Sequence, residues 1–220
     1  MPSSAALSES VEEYLEAIRK LGKTVEGVST TRLARHMDVK PASVTGMLRR
    51  LSHLGLVTYR RYRDIALTPA GEQRANEVIR RHRLAERLLT DVLGVPLDEV
   101  HDEACRLEHA VSPALEGRLA RVLGGPQKCP HGHPLDADAE DESLSLLDAP
   151  LNRSLMVVRL ENETSEVVRY LTERKLLPGA RVKVKAREPL DGSVVLEVAG
   201  DRQLLGPQIA DGVRVRSARR

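Results

Sequence analysis

The chain has 220 residues, of which 41% are apolar and 30% are charged, with 34 basic against 32 acidic side chains. This length and composition are typical of a globular protein with one large or two to three small domains, and no apolar run approaches the roughly 20 residues that span a bilayer. The two cysteines, Cys105 and Cys129, are too few for a disulfide framework. Because the N-terminal sequence also lacks the basic start and apolar core of a secretory signal, we expect a cytoplasmic protein.

The N-terminal region predicts a winged helix-turn-helix. An apolar period predicts a helix over residues 8–21, and Ser29 can cap a short second helix that ends at Met37. Pro41 can begin a third helix, which Gly55 ends. Two short strand segments, LVTYR and DIALT, then flank a basic turn. A helix, a turn, a helix and a basic hairpin in this order predict DNA binding, although a helical hairpin used for protein contacts is the alternative.

Basic residues are concentrated in this region, with eight Lys or Arg against one acid between Arg32 and Arg63. Such a segment is a candidate footprint for nucleic acid. We expect the following residues to face the DNA groove from the third helix: Lys40, Pro41, Ala42, Ser43, Thr45 and Arg49. We expect the following residues to contact phosphates: Arg50, Arg60, Arg61 and Arg63. His36 and His53 are interpreted as surface or packing residues.

The segment HDEACRLEH brings potential metal ligands together. On a helix, His101, Cys105, Glu108 and His109 fall at i, i+4, i+7 and i+8, and therefore project from one face. In RRHRLAERLL, His82 and Glu86 form a second pair at i, i+4. Imidazole, thiol and carboxylate groups make a poor apolar core but a good site for a divalent metal ion. The alternative is a pair of amphipathic helices with these residues on their solvated faces.

The middle of the chain predicts helices, and the end predicts strands. A long helix runs from residue 69 to about 93, Pro96 opens the next helix, and Ser112 and Pro113 separate it from a helix that ends near Leu123. Several apolar residues exceed what one short helix needs to bury and predict a dimer interface: Leu84, Leu88, Leu89, Val92 and Leu93. The strand segments LMVVRL, RVKVKA, VVLEVA and VRVRS, with the helix ETSEVVRYLTERKL, then predict a small barrel.

We therefore expect a mainly α fold with a small β part. Residues 1–72 form the winged helix-turn-helix DNA-binding domain, and residues 73–135 form a helical dimerisation and metal-binding domain. Residues 136–152 form an acidic linker, because six acids and no Lys or Arg lie between Pro134 and Pro150. Residues 153–220 form a small β-barrel domain.

The residues also match a known family. The chain resembles the diphtheria toxin repressor and manganese transport regulator family of metal-activated bacterial transcription factors. The resemblance covers essentially the whole chain. It rests on SVEEYLEAI, KPASVTGMLRRLSHLGLV, the wing with LTPAG, RRHRLAERLLTDVLG, VHDEACRLEH, CPHGHP and the C-terminal barrel. The resemblance implies that residues 153–220 are an SH3-like domain of the FeoA-like type. It implies a homodimer that binds palindromic operator DNA and controls genes of metal-uptake homeostasis.

The resemblance also implies at least two metal ions per subunit. The primary site would use Glu13, Cys105, Glu108 and His109, with His82 nearby. The second site would use His82, Glu86 and His101, and CPHGHP would add Cys129 and His131. Glu16 matches a carboxylate of the manganese regulators, although we expect it on the surface. Iron-responsive members complete the second site from the third domain, where an ungapped match places Thr164 and Val167, so Glu163 or Glu166 would substitute.

The ligand types favour Mn²⁺, with Fe²⁺ as the alternative. The hard carboxylate of Glu13 suits Mn²⁺, whereas the thiol of Cys105 suits a softer ion. Metal would link Glu13 to the dimerisation helices and fix the spacing of the two recognition helices. Other readings of the same residues are a winged-helix regulator gated by a small organic ligand, and a metallohydrolase, for which no motif supplies a nucleophile or base. CPHGHP as a solvated loop and His101 as decoration of a helix start are further alternatives.

Overall fold

A computed structural model describes residues 7–22, 27–59, 65–139 and 142–218. The chain divides into two units, Met1–Arg81 and His82–Arg220, and helix α4 begins in the first and ends in the second. Among the described residues, none of the helices combines the length and the apolar character that a membrane crossing requires.

Before α4, the described residues of the first unit form three helices and a short hairpin. They are α1 (Glu9–Gly22), α2 (Thr30–His36), α3 (Pro41–His53), β1 (Val57–Thr58) and β2 (Ala66–Leu67). The hydroxyl of Ser29 accepts a hydrogen bond from the backbone N–H of Arg32 at 3.2 Å, so the predicted N-cap of α2 is present. β1 and β2 pair antiparallel. This arrangement confirms the predicted winged helix-turn-helix, but the wing residues Arg60, Arg61 and Arg63 lie outside the described residues.

The apolar period of the first three helices builds one core. Fully buried side chains include Val11 and Leu15 of α1, Leu33 of α2, and Val44 and Leu48 of α3. The face of α3 opposite to Val44 and Leu48 is therefore left exposed to solvent.

The LTPAG segment joins the hairpin to α4 (Pro69–Asp91) through a close backbone approach. The hydroxyl of Thr68 donates to the carbonyl of Gly55 at 2.7 Å and accepts from the N–H of Gly71 at 3.1 Å. A Cβ at position 71 would lie 1.9 Å from the carbonyl oxygen of Leu56. Only glycine fits at this position.

The helical part of the second unit contains the end of α4, α5 (Val100–Glu108) and α6 (Pro113–Val122). The prediction that Pro96 opens α5 is wrong: its carbonyl accepts from the N–H groups of Glu99 and Val100 in a turn, and the helix begins only at Val100. Ser112 and Pro113 separate α5 from α6 as expected, and the hydroxyl of Ser112 caps α6 by accepting a hydrogen bond from the N–H of Leu115 at 3.3 Å.

Only part of the predicted interface set is exposed. Leu84 and Leu89 are buried inside the chain, where Leu89 packs with Ala85, Val100 and other residues of α4 and α5. Val92 and Leu93, by contrast, follow the last residue of α4 and are 58% and 64% exposed. Helix α6 buries none of its own residues. An apolar surface is thus available on this unit, but Leu84 and Leu89 do not belong to it.

The C-terminal part is an antiparallel sheet with two helices. Its elements are β3 (Leu144–Ser145), β4 (Leu155–Leu160), α7 (Ser165–Glu173), β5 (Arg181–Arg187), β6 (Val194–Val198), β7 (Asp201–Leu205), α8 (Pro207–Asp211) and β8 (Val213–Ser217). The strand order is β3-β8-β4-β5-β6-β7. The predicted SH3-like domain is confirmed, and β4, β5, β6 and β8 match the four predicted strand segments.

The structure corrects the predicted linker. β3 pairs with β8, and Leu146 and Ala149 are fully buried in the core of the sheet. The second half of residues 136–152 is therefore part of the folded domain. The acidic residues of this stretch led to the prediction of a linker. They flank a few apolar residues, and these apolar residues face the core.

Candidate metal centre and nucleic-acid interface

Buried residues of α4 and α5 place two carboxylates around one imidazole. His82 and Glu86, one turn apart on α4, are 4% and 0% exposed, and Glu108 of α5 is 2% exposed. Nδ1 of His82 lies 2.5 Å from Oε2 of Glu108, and Nε2 of His82 lies 3.3 Å from Oε1 of Glu86. Each ring nitrogen of His82 therefore has its own carboxylate partner.

His101 also has partners at both ring nitrogens, but one of them is a thiol. Its Nδ1 lies 3.2 Å from Nε2 of His82 and 3.6 Å from Oε1 of Glu86. Its Nε2 lies 3.8 Å from Sγ of Cys105, one turn along α5. One donor atom from each of His82, His101 and Cys105 lies within 4.8 Å of the others. Because His101 is built into this cluster, its interpretation as a decoration of the helix start is wrong.

The CPHGHP loop is folded tightly against β4. The N–H of Cys129 donates to the carbonyl of His133 at 2.8 Å, and the N–H of Leu160 donates to the carbonyl of His131 at 2.9 Å. Gly132 has a φ of 93°, and a Cβ there would lie 2.0 Å from a backbone oxygen of β4. Cys129 and His131 are 3% and 0% exposed, so the alternative of a solvated loop is wrong.

Glu163, just after β4, completes this neighbourhood. Its Oε2 lies 3.2 Å from Nδ1 of His101, and its Oε1 lies 3.7 Å from Nδ1 of His131 and 3.2 Å from Nε2 of His133. The donor atoms form two groups of four, each within 4.8 Å: His82, Glu86, His101 and Glu163 in the first, and Glu86, Cys129, His131 and Glu163 in the second.

The other third-domain candidates lie elsewhere. Glu166 is exposed in the first turn of α7, and neither it nor Thr164 or Val167 takes part in these groups. The hydroxyl of Thr164 donates to the side chain of Asn162 at 2.9 Å. Of the two substitutes that the sequence suggested, Glu163 is the one that the fold brings to the cluster.

The electrostatics of the cluster favour positive charge. Burial alone would lower the pKa of His82, but hydrogen bonds to Cys105, Glu108 and Glu86 raise it well above its usual value. Burial also acts to lower the pKa of His101, but hydrogen bonds to Cys105, Glu163 and Glu86 raise it to about 11. Imidazolium protons thus neutralise the carboxylates, a role that a divalent cation can also fill.

The cysteines differ in their environments. Burial and the nearby charges of Glu86 and Glu163 raise the pKa of the Cys129 thiol well above its usual value. Burial also acts to raise the pKa of Cys105, but hydrogen bonds to His101 and His82 lower it overall. Cys105 is therefore the readier thiolate, and Cys129 must lose its proton when it ligates a metal.

One buried oxygen indicates that the residues fit a cation. Oε2 of Glu86 is buried and has no hydrogen-bond partner among the described residues. An unsatisfied carboxylate oxygen inside a cluster of imidazole, thiol and carboxylate groups is costly unless a ligand completes it. The donor set suits divalent transition metals.

The ligands predicted from α1 and from the end of α5 differ in burial and in their partners. His109 follows α5 directly, and its Nε2 lies 3.4 Å from Oε1 of Glu108. Glu13 is exposed on α1 in the first unit, and its contribution to the primary site stays a prediction. Glu16 is only 9% exposed, so its expected surface position is wrong; Lys20 pairs with it at 2.9 Å.

The residues of α3 that were predicted to face DNA lie on its solvent-exposed side. The exposed residues are Lys40, Pro41, Ala42, Ser43, Arg49 and Arg50. Thr45 is half-buried, and its hydroxyl donates to the carbonyl of Pro41 at 3.0 Å. His36 and His53 are exposed, and Nδ1 of His53 lies 2.8 Å from the carbonyl oxygen of Arg49, which is consistent with a surface role.

A winged helix and a buried cluster of His, Cys and Glu define a DNA-binding regulator with metal sites, and comparisons with known proteins agree. Three family models match: "Iron dependent repressor, N-terminal DNA binding domain" over residues 6–65, "Iron dependent repressor, metal binding and dimerisation domain" over residues 68–136, and "FeoA domain" over residues 144–217.

Individual relatives match over nearly their whole length. The diphtheria toxin repressor of Corynebacterium diphtheriae is 31% identical, over 95% of this chain and 97% of its own. The iron-dependent repressor IdeR of Mycobacterium leprae is 33% identical, over 95% and 97%. A solved manganese-dependent transcriptional repressor in complex with manganese is 31% identical, covers 94% of this chain and 100% of its own, and superposes with a TM-score of 0.87. The chain belongs to the diphtheria toxin repressor family of metal-dependent transcriptional repressors, as the sequence resemblance predicted.

Proposed function

We propose that this chain is a Mn²⁺-activated repressor that binds palindromic operators as a homodimer and controls genes of metal uptake. The buried ligand cluster carries the proposal: several imidazole, carboxylate and thiol groups converge within 4.8 Å, and an oxygen of Glu86 needs a partner. The names of the relatives favour a repressor over the metallohydrolase alternative. We place its action in the cytoplasm, where bacterial operator DNA and reduced thiols are found.

The primary site would use Cys105, Glu108 and His109 of the second unit and Glu13 of α1. His82 would support it by donating from Nδ1 to Glu108, which orients that carboxylate. A cation in this site supplies positive charge to otherwise repelling carboxylates. Because its ligands would come from α1 and α5, metal binding would favour one arrangement of the winged helix-turn-helix, and operator binding would favour the same arrangement. Metal and operator DNA must then each tighten the binding of the other.

The second site would use the groups around Glu86. Helix α4, helix α5, the CPHGHP loop and the segment after β4 supply its ligands: His82, Glu86, His101, Cys129, His131 and Glu163. Such a site ties the helical part of the second unit to its sheet. His133 would act as a positioning residue, because its Nε2 lies 2.8 Å from the carbonyl oxygen of Leu160 and 3.2 Å from Oε1 of Glu163.

The choice of Mn²⁺ rests on the carboxylate ligands. Glu13, Glu108, Glu86 and Glu163 supply hard oxygen donors, which suit Mn²⁺. Fe²⁺ is the second candidate, because Cys105 supplies a softer sulfur and its lowered pKa makes the thiolate available. Relatives are named for both metals.

The DNA partner would meet the exposed side of α3. Ser43, Thr45 and Arg49 would read base edges, while Arg50 and the wing arginines would contact phosphates. A homodimer would use the exposed apolar residues of the second unit, such as Val92 and Leu93. A symmetric dimer presents two heads and therefore selects inverted half-sites.

The proposal is tested by selecting duplexes from a randomised library with the full-length chain, in parallel with Mn²⁺ and with a chelator. We expect an inverted repeat to be enriched only with Mn²⁺. Equal enrichment under both conditions would instead support a regulator gated by an organic ligand, with metal only structural.

A further inference from the structure

The outer face of the C-terminal sheet carries basic residues on β5. Val182 and Val184 of this strand are buried in the core of the sheet. Arg181 and Lys183 alternate with them, and both are exposed. Because successive side chains of a strand point to opposite faces, these two residues lie on the face that is turned away from the core.

Two arginines flank one side chain of β4 on this face. Met156 lies opposite Arg181 of β5 and also opposite Arg216 of β8. Residues that are opposite each other in neighbouring strands share a face, so both guanidinium groups lie on the same side of the sheet. Both arginines are exposed, and neither is paired with an acidic side chain among the described residues.

On this face, the described strand residues include a single carboxylate, that of Glu197 on β6. Its Oε1 lies 3.7 Å from Nζ of Lys183, and its Oε2 lies 3.5 Å from Nζ of Lys185. Arg202 of β7 lies opposite Glu197 and is exposed. Ion pairs at such a surface are weak, so the lysines can exchange this carboxylate for another anion. We define the basic face as Arg181, Lys183, Lys185, Arg202 and Arg216.

The basic face does not include the arginines near the end of β4. Nε of Arg159 donates to Oε1 of Glu161 at 3.0 Å, and Nε of Arg214 lies 3.9 Å from the same oxygen. These two arginines share a carboxylate that follows β4 directly. The positive charge of the basic face, by contrast, is opposed by Glu197.

The basic face is wide enough for a polyanion. From β8 to β7 it crosses five neighbouring strands, in the order β8-β4-β5-β6-β7. At about 4.8 Å between strands, this is a width of roughly 19 Å along the sheet. Duplex DNA carries one phosphate charge per about 1.7 Å of its axis, so this width can face roughly ten charges. Guanidinium groups suit phosphate in particular, because they can donate two parallel hydrogen bonds to it.

We propose that the basic face binds the phosphate backbone of duplex DNA without reading its sequence. Lys and Arg contacts to phosphates give affinity but no base preference. Duplex DNA is the polyanion that we assign to this face, because the N-terminal domain already brings the chain to DNA. The inference rests on the proposed binding of operator DNA and adds a contact to that of α3. None of the proposed metal ligands belongs to the basic face, so we expect this contact in the metal-free chain as well.

The first test measures how the metal-free, full-length chain binds a duplex without an operator sequence, by fluorescence anisotropy at several salt concentrations. The double variant Arg181→Ala/Arg216→Ala removes two phosphate contacts. Each contact contributes about 0.9 to the slope of log affinity against log salt, so the slope should fall by about 1.8. The loss of affinity between about 50 and 200 mM salt should therefore be roughly tenfold smaller than in the unaltered chain.

The matched control is Arg169→Ala/Lys175→Ala, which also removes two exposed positive charges. Arg169 lies on α7 and Lys175 in the turn after it, and α7 packs on the core side of the sheet through Leu171. We expect the control to keep the salt slope of the unaltered chain. If the two double variants have the same slope, the basic face does not contact DNA and the proposal is wrong.

The second test changes binding in the opposite direction. Glu197→Gln removes the carboxylate that faces Lys183 and Lys185. We expect tighter binding to the same duplex and a slope that is steeper by about one. A variant that failed to fold would not bind DNA more tightly, and circular dichroism checks the fold of every variant. Unchanged or weaker binding by Glu197→Gln would contradict the proposal.

An anionic membrane is the other surface that a basic sheet face could meet. Vesicles of phosphatidylcholine and phosphatidylserine test this, and we expect no binding that depends on the basic face. If Arg181→Ala/Arg216→Ala loses vesicle binding but keeps the DNA salt slope, the face is a membrane site and the proposal is overturned. Operator binding by the unaltered chain, with and without Mn²⁺, is measured in parallel. Operator binding that does not respond to Mn²⁺ would overturn the proposed function, whereas unchanged salt slopes would overturn only the role of the basic face.

Discussion

Glu108→Ala should destabilise the metal-free chain strongly, because it removes one partner of a buried ion pair. The carboxylate of Glu108 is 2% exposed and lies 2.5 Å from Nδ1 of His82, whose side chain is 5% exposed. The pKa of His82, raised well above its usual value, keeps this imidazole charged in the metal-free chain. The substitution therefore leaves a buried charge without its closest counterion.

Breaking a buried pair in this way costs roughly 3–5 kcal/mol. His82 keeps hydrogen bonds to Cys105 and Glu86, and it can lose its proton when Glu108 is absent. Both effects place the expected cost at the lower end, about 3 kcal/mol. Glu103→Ala on the same helix is the matched control, because Glu103 pairs with Arg106 at the exposed surface and such pairs contribute about 0–1 kcal/mol.

Urea unfolding of both variants in chelator, followed by far-ultraviolet circular dichroism, measures the difference. We expect Glu108→Ala to lower the unfolding free energy by about 2–3 kcal/mol more than Glu103→Ala. If the two variants unfold at the same urea concentration, the buried pair does not stabilise the metal-free protein, and our account of its electrostatics fails.

Three further predictions follow from the geometry. Gly71→Ala should destabilise the protein by about 1–3 kcal/mol, because its Cβ would meet a backbone oxygen at 1.9 Å. Gly46→Ala, in open space on α3, should instead stabilise it by roughly 0.5–1 kcal/mol. Thermal unfolding of both variants checks this. Because His101 has a pKa of about 11 without metal, Mn²⁺ must displace its proton, so calorimetric Mn²⁺ affinity should rise with pH up to about tenfold per unit; a pH-independent affinity would contradict this. Arg50→Ala should lower the salt dependence of operator binding by about one ion, while Ser43→Ala should alter base preference, and the reverse pattern would exchange their roles.

The sequence predicted the helices and much of the sheet because their signals are local. The apolar period, the cap at Ser29 and the glycine after α3 depend only on neighbouring residues, and the structure has all three. By contrast, β3 is two residues long within an acidic stretch, and β7 was not predicted because its segment DRQLL is mostly polar. Both strands form because partner strands distant in sequence supply the hydrogen bonds.

The candidate site could likewise be predicted where the signal is local, and not where it depends on contacts between distant residues. Helical spacing was enough to group His82 with Glu86, and His101 with Cys105. No spacing rule could choose between Glu163 and Glu166, because that choice depends on where β4 ends and α7 begins. The loop contacts that bury the CPHGHP segment, and the approach of His133 to Glu163, arise only from long-range folding.

The central claim, that a divalent metal controls DNA binding, is tested most directly by fluorescence anisotropy of a selected operator duplex. The full-length chain is stripped with a chelator, dialysed, and titrated with Mn²⁺, and with Fe²⁺ under anaerobic conditions. We predict loss of specific binding on chelation and full recovery with Mn²⁺, with a coupling of at least about 10-fold in affinity. Unaltered specific binding by the stripped chain would contradict the account.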